Sequence, residues 1–149
     1  MRVLGVDLGS RRIGLAVSDP EARFAFPLDA IESAGSARDV AALRALIAER
    51  EIGQVVIGLP LHMDGRAGPE AEAAKRFAAS LAEATGLPVA LLDERWTTSE
   101  AERGLQASES SRGRRRKARK SGARDSMAAS ILLRTWLERE ANAGGESRS

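Results

Sequence analysis

Arg2-Val3-Leu4-Gly5-Val6-Asp7-Leu8-Gly9-Ser10-Arg11-Arg12-Ile13-Gly14-Leu15-Ala16-Val17-Ser18 is the stretch that decides the fold. Arg2–Asp7 is a short, nearly continuous apolar run, the pattern of a buried strand. Gly9-Ser10-Arg11 is turn-like, and Arg12–Ser18 alternates through Ile13, Leu15 and Val17 as a second strand. The pair predicts an antiparallel hairpin with an acid at the end of its first strand. Asp7 either starts the turn or serves a site. It continues the apolar period instead of lying beyond it, where an unpaired carboxylate is costly to desolvate.

Outward from the hairpin, Asp19-Pro20 turns the chain and Phe24–Ile31 returns as a third strand. Ser36-Ala37-Arg38-Asp39 has capping-box spacing, and Val40, Leu43 and Ile47 follow at helical intervals up to Arg50. Gln54–Gly58 is a short apolar strand buried on both faces. Pro69–Thr85 carries Ala73, Phe77 and Leu81 on one face and stops at Gly86, with Pro88 beyond. Pro88–Leu92 is a fifth strand, and Thr97 with Glu100 opens a helix to about Ala107. A last helix runs from about Asp125 to Ala141, followed by a disordered tail at residues 142–149. The order β-β-β-α-β-α-β-α-α predicts an α/β fold: an antiparallel β1-β2-β3 meander plus two parallel strands in one five-stranded sheet, helices on both faces.

The chain has 149 residues, 43% hydrophobic and 30% charged, which suits one globular domain, read as residues 1–141. No apolar run reaches the length of a membrane span. An acid stands at position 7 where a signal peptide needs an apolar core, so the expected compartment is the cytoplasm. Zero Cys removes disulfides, thiol nucleophiles, zinc fingers and Fe–S clusters; the one His, His62, removes a polyhistidine metal site. Net charge is +2, unevenly spread. Residues 112–124 hold eight positive side chains and no acid, while the remainder has 15 basic against 21 acidic residues. The expectation is an acidic domain with a mobile basic loop, residues 109–123, that is either a solvated charge run or a polyanion grip. Aromatics are few and Tyr is absent, which disfavours a base-stacking platform.

Asp93 and Glu94 end the fifth strand, with side chains expected on opposite faces. One can serve a site while the other is solvated or pairs with Arg95. Asp125 opens the last helix, as an N-cap, an ion-pair partner of the basic loop, or a site residue. It shares a helical face with Ala129, Leu132 and Trp136, and the small Ala128 and Ala129 allow close packing on the sheet. Acids on separate elements, without Cys, suit hard cations such as Mg²⁺ or Mn²⁺, and two such ions are the arrangement used for phosphodiester hydrolysis.

Four strings resemble one family: Gly5-Val6-Asp7-Leu8-Gly9-Ser10-Arg11-Arg12-Ile13-Gly14-Leu15-Ala16-Val17-Ser18-Asp19, Gly58-Leu59-Pro60-Leu61-His62-Met63-Asp64-Gly65, Asp93-Glu94-Arg95-Trp96-Thr97-Thr98 and Arg124-Asp125-Ser126-Met127-Ala128-Ala129. They are similar to the YqgF family, the RuvX or RuvC-like, RNase H-like proteins described as nucleases of precursor 16S rRNA. The likeness covers about Arg2 to Leu137. It implies an acidic triad of Asp7, Glu94 and Asp125 binding Mg²⁺ or Mn²⁺, with Glu94 preferred over Asp93. His62 stands where many relatives carry Asn, and Trp96 where an aliphatic residue or Phe is usual. The expected nucleic-acid contacts are Arg11, Arg112, Arg114, Arg115, Arg116, Lys117, Arg119 and Lys120. His62 reads as a surface residue, Asp64-Gly65 as a turn and Trp136 as packing.

The expected activity is endonucleolytic trimming of pre-16S rRNA by a monomer or weak homodimer. The alternatives are a resolvase of four-way DNA junctions, which would act as a dimer, and a non-catalytic RNA-binding assembly factor. An actin-like kinase needs a second half that the length does not hold, and no Walker A string is present.

Overall fold

The computed structural model describes residues 1–95 and 123–148; the side chains of residues 123–125 and 144–148 lie outside that description. Five strands form one sheet in the order β3-β2-β1-β4-β5. They are β1 (Arg2–Leu8), β2 (Arg12–Ser18), β3 (Ala25–Glu32), β4 (Ile52–Leu59) and β5 (Val89–Asp93). The meander is antiparallel, with Asp7 opposite Gly14 and Val17 opposite Phe26. β4 runs parallel to β1, Val6 beside Ile57, and β5 parallel to β4, Leu59 beside Asp93. The carboxyl ends of β1, β4 and β5 therefore lie along one rim, where α/β sheets place their sites.

Strand alternation divides the core in two. Leu4, Val6, Ile13, Leu15, Val55 and Ile57 meet Leu43 and Ile47 of α1 (Ser36–Glu49) and Phe77 and Leu81 of α2 (Pro69–Thr85). Val3, Ala16, Val56 and Leu92 face the other way and meet Ala129, Leu132, Leu133 and Leu137 of α3 (Ala123–Arg148), with Trp136 packed against them. The face predicted to pack on the sheet, including Ala129, Leu132 and Trp136, does so. Among the described residues no helix is long and apolar enough to cross a membrane.

α3 comes close because Gly5 has no side chain. A Cβ there would lie 2.9 Å from Leu133 Cβ and 3.1 Å from the Ala129 carbonyl oxygen. Gly5→Ala is expected to cost about 2 kcal/mol by overpacking, read as a lowered midpoint in urea denaturation. Ser126, buried in the first turns of α3, donates its hydroxyl hydrogen bond to the Leu28 carbonyl of β3 and fixes the helix start over the meander.

Two local readings change. Ser36 is the first helical residue of α1 rather than its cap, and Gly35 is the N-cap. No capping box forms: buried Asp39 reaches past the cap to accept from Ser33 Oγ (2.7 Å) and the Ala34 amide (2.8 Å). α3 starts at Ala123 and continues to Arg148, where a tail from residue 142 was expected. Extending a formed helix fixes one residue per hydrogen bond gained, so Gly144 and Gly145 alone do not end it. Gly86 does end α2 as predicted, left-handed at φ 73°, its amide bonded to the Ala82 carbonyl at 2.8 Å. The expected helix from Thr97 to Ala107 and the basic run from Arg112 to Lys120 lie outside the described residues.

Candidate active site

Asp7 is the next-to-last residue of β1 and follows Val3 and Gly5 on the α3 face of the sheet. Glu94 lies one residue beyond β5. Its amide bonds the Leu59 carbonyl at 3.0 Å, continuing the attachment to β4 past the end of the strand. Its carboxyl group then folds over Gly58. A Cβ at Gly58 would lie 2.9 Å from Glu94 Cγ and closer still to its Oε1, so only glycine leaves that seat open.

There Glu94 meets Asp7. The half-buried Glu94 carboxyl is pushed up to about 8, first by loss of water, then by its hydrogen bond to Asp7 and the charges of Asp7 and Asp93. Two carboxyl groups thus share a proton at the rim. Cations satisfy such a pair better than a proton does, because both oxygens sets can then be ionised. In the absence of cations this group makes stability pH-dependent in a defined direction. Its folded-state value lies above its ordinary 4.5, so the folded chain holds a proton that the unfolded chain releases. That contribution is complete below 4.5 and is lost as pH rises toward about 8. The melting temperature measured with a chelator should fall across this interval, and Glu94→Gln should flatten the fall.

Asp93 points the other way. Arg95 donates to it from its amide (2.9 Å), from Nε (2.9 Å to Oδ2) and from Nη2 (2.6 Å). The guanidinium hydrogen bond is the largest influence holding the Asp93 carboxyl below its usual range. The opposite orientation expected from strand alternation is thus present: Glu94 keeps the parity of Leu92, which faces α3 as Asp7 does, and the Arg95 fork holds Asp93 on the other side.

Asp125 lies in the first turn of α3, one turn ahead of Ala129, which rests on Gly5. Its backbone therefore belongs to the same face of the sheet as Asp7 and Glu94. Arg11 is exposed in the β1–β2 turn at the same rim, its carbonyl accepting from Ser33 (2.9 Å). Arg112, Arg114, Arg115, Arg116, Lys117, Arg119 and Lys120 fall outside the described residues. His62 is exposed with its ring against Gly68, and Asp64 makes the turn read from the sequence by accepting from the Arg66 amide (3.0 Å).

Two features were not read from the sequence. One is the seat that Gly58 provides for Glu94; the register signal is Gly58 beside Leu92, at the strand end next to the acids. The other is the Arg95 fork, which also reaches the Met63 carbonyl at 3.3 Å.

The family model described as "RuvX: Holliday junction resolvase" matches residues 1–139. Among curated relatives, an Anaeromyxobacter sp. (strain Fw109-5) protein is 44% identical over 93% of this chain and 97% of its own length. A Geobacillus kaustophilus protein is 44% identical over 93% of this chain and 98% of its own. Both carry the name "Putative pre-16S rRNA nuclease". Among solved structures, Thermus thermophilus RuvC in complex with a Holliday junction superposes with a TM-score of 0.55 at 16% identity. That match spans 95% of this chain and 96% of RuvC, and it shows a shared fold.

Proposed function

The chain belongs to the RuvX family and is a nuclease, and we propose that it cuts precursor 16S rRNA endonucleolytically near its 5′ end in the cytoplasm. The observation that carries the chemistry is the Glu94 carboxyl seated over Gly58 against Asp7. The substrate reading rests on the name borne by relatives above 40% identity over nearly the whole chain. Asp7, Glu94 and Asp125 would hold Mg²⁺ or Mn²⁺, two ions together. When bound, such ions activate water and stabilise the leaving oxygen of a phosphodiester. Asp7 and Glu94 supply the ligating oxygens, Gly58 keeps Glu94 in place, and Arg11 with the basic run draws in the phosphate backbone.

The testing experiment has two arms. Purified protein with Mg²⁺ or Mn²⁺ should cut an RNA spanning the 5′ precursor junction in preference to a four-way DNA junction. Cells depleted of the protein should accumulate 16S precursors with extended 5′ ends, restored by wild type and not by Asp7→Asn. Normal 16S ends together with symmetric nicking of junctions would establish junction resolution instead. Binding without metal-dependent turnover would establish an assembly factor.

The basic run makes its own prediction. If about half of its eight positive charges touch single-stranded phosphates, the log–log salt slope of binding is about −3. Arg114, Arg115 and Arg116 replaced together by Gln should flatten that slope and weaken all sequences alike. An unchanged slope would return the run to a solvated charge cluster.

A further inference from the structure

We propose that Arg95 is a positioning residue that locks the β4–α2 turn, Leu61–Ala67, to the strand end carrying Glu94, and that this turn seats the nucleic-acid strand beside the carboxylates. The inference rests on the nuclease reading and adds to it a device that sets where the strand is cut.

The turn is tied internally at several points. Leu61 and Ala67 form an antiparallel bridge. The His62 amide bonds the Arg66 carbonyl (2.9 Å), and the Gly65 amide bonds the His62 carbonyl (2.8 Å). Gly65 sits at φ 91°, a left-handed conformation that a side chain would strain. Yet the turn presents its tip to solvent: Met63 is 88% exposed, and the Arg66 side chain, its Nε on Asp64 Oδ2, is largely exposed too. A rigid turn with an exposed thioether and a guanidinium is suited to a base edge and a phosphate, and apolar tips of this kind do press against nucleic-acid bases.

Two bonds join this turn to the site, one from Glu94 itself and one from its neighbour Arg95. The Glu94 amide bonds Leu59, at the root of the turn. Arg95 Nη1 bonds the Met63 carbonyl at its tip (3.3 Å), while Nε and Nη2 grip Asp93 (2.9 and 2.6 Å). The residues on either side of Glu94 are therefore clamped to each other, and one arm of the clamp holds the turn. A planar fork is needed for both grips at once; a lysine ammonium can make one.

The test compares wild type with Arg95→Lys, Asp93→Asn and Gly65→Ala, by hydrogen exchange and by mapping cut positions. In Arg95→Lys the His62 and Gly65 amides should exchange about tenfold faster, the loss of one charge-assisted hydrogen bond, with α1 amides unchanged. KM should rise more than kcat falls, and cuts should spread over neighbouring phosphates. Asp93→Asn should give the same pattern, non-additively with Arg95→Lys. Gly65→Ala, which strains the turn at its left-handed residue while its methyl would reach the Arg95 guanidinium only at ordinary contact distance (3.5 Å), should spread the cuts as well. Unchanged exchange, or a lower kcat with cut positions unmoved, would overturn the proposal. A wild-type protein that cuts nothing under any condition would fail the nuclease reading instead, while the exchange data would still judge the clamp.

Discussion

Asp7→Asn is expected to lower metal-dependent cleavage by about a thousandfold or more, the scale on which a lost ion ligand removes several kcal/mol of transition-state stabilisation. The variant keeps its fold, because Asn is isosteric and the β1 backbone pairing does not involve the side chain. It is also expected to keep its affinity for nucleic acid, which on the proposed reading the basic residues supply. Without metal it gains stability near neutral pH, since the Glu94 carboxyl loses the neighbouring charge that helps push it up to about 8. Single-turnover cleavage, a binding isotherm and a chelated melt separate these three effects. Wild-type cleavage by the variant would remove Asp7 from the reaction.

Gly58→Ala is the second large effect, and its signature is opposite in kind to a folding defect. The new methyl would press into the Glu94 side chain, 2.9 Å from Cγ. The group in the way is the far end of a flexible side chain, so it is expected to swing aside from Asp7 while the sheet stays intact. A ligand displaced by an ångström still costs about a hundredfold in rate. Cleavage should therefore fall by that factor with a melting temperature close to wild type, and divalent-ion affinity measured by calorimetry should weaken in parallel. A variant with full activity would show that Glu94 acts from another position.

The sheet was legible because its signals are local. Alternation in Ile13, Leu15 and Val17, the continuous run Val55-Val56-Ile57 and the Gly86 stop each fix an element without help from elsewhere. The small residues of the last helix likewise announced close packing, which Gly5 accepts from the other side. Helix ends were less legible: competing partners decide them, as Asp39 does by reaching Ser33. In the site, the choice between Asp93 and Glu94 needed the resemblance to a known family. Spacing made them differ in direction, but which one met Asp7 depended on which face of the sheet the last helix covers and on an empty place over Gly58, both products of tertiary contact.

The α3 layer has a consequence for biosynthesis. Strands β1 to β5 and helices α1 and α2 all lie within the first 93 residues, and they complete one half of the core by themselves. The opposite half, Val3, Ala16, Val56 and Leu92, waits for a helix that begins at residue 123. A nascent chain emerging N-terminus first therefore has Asp7 and Glu94 in hand while, among the described residues, nothing yet covers the apolar side of the sheet behind them. The covering helix and Asp125, the third acid of the proposed site, arrive together, so on that reading the core is sealed and the set of carboxylates completed in the same step. A chain interrupted before residue 123 is left sticky and, on the reading above, chemically silent.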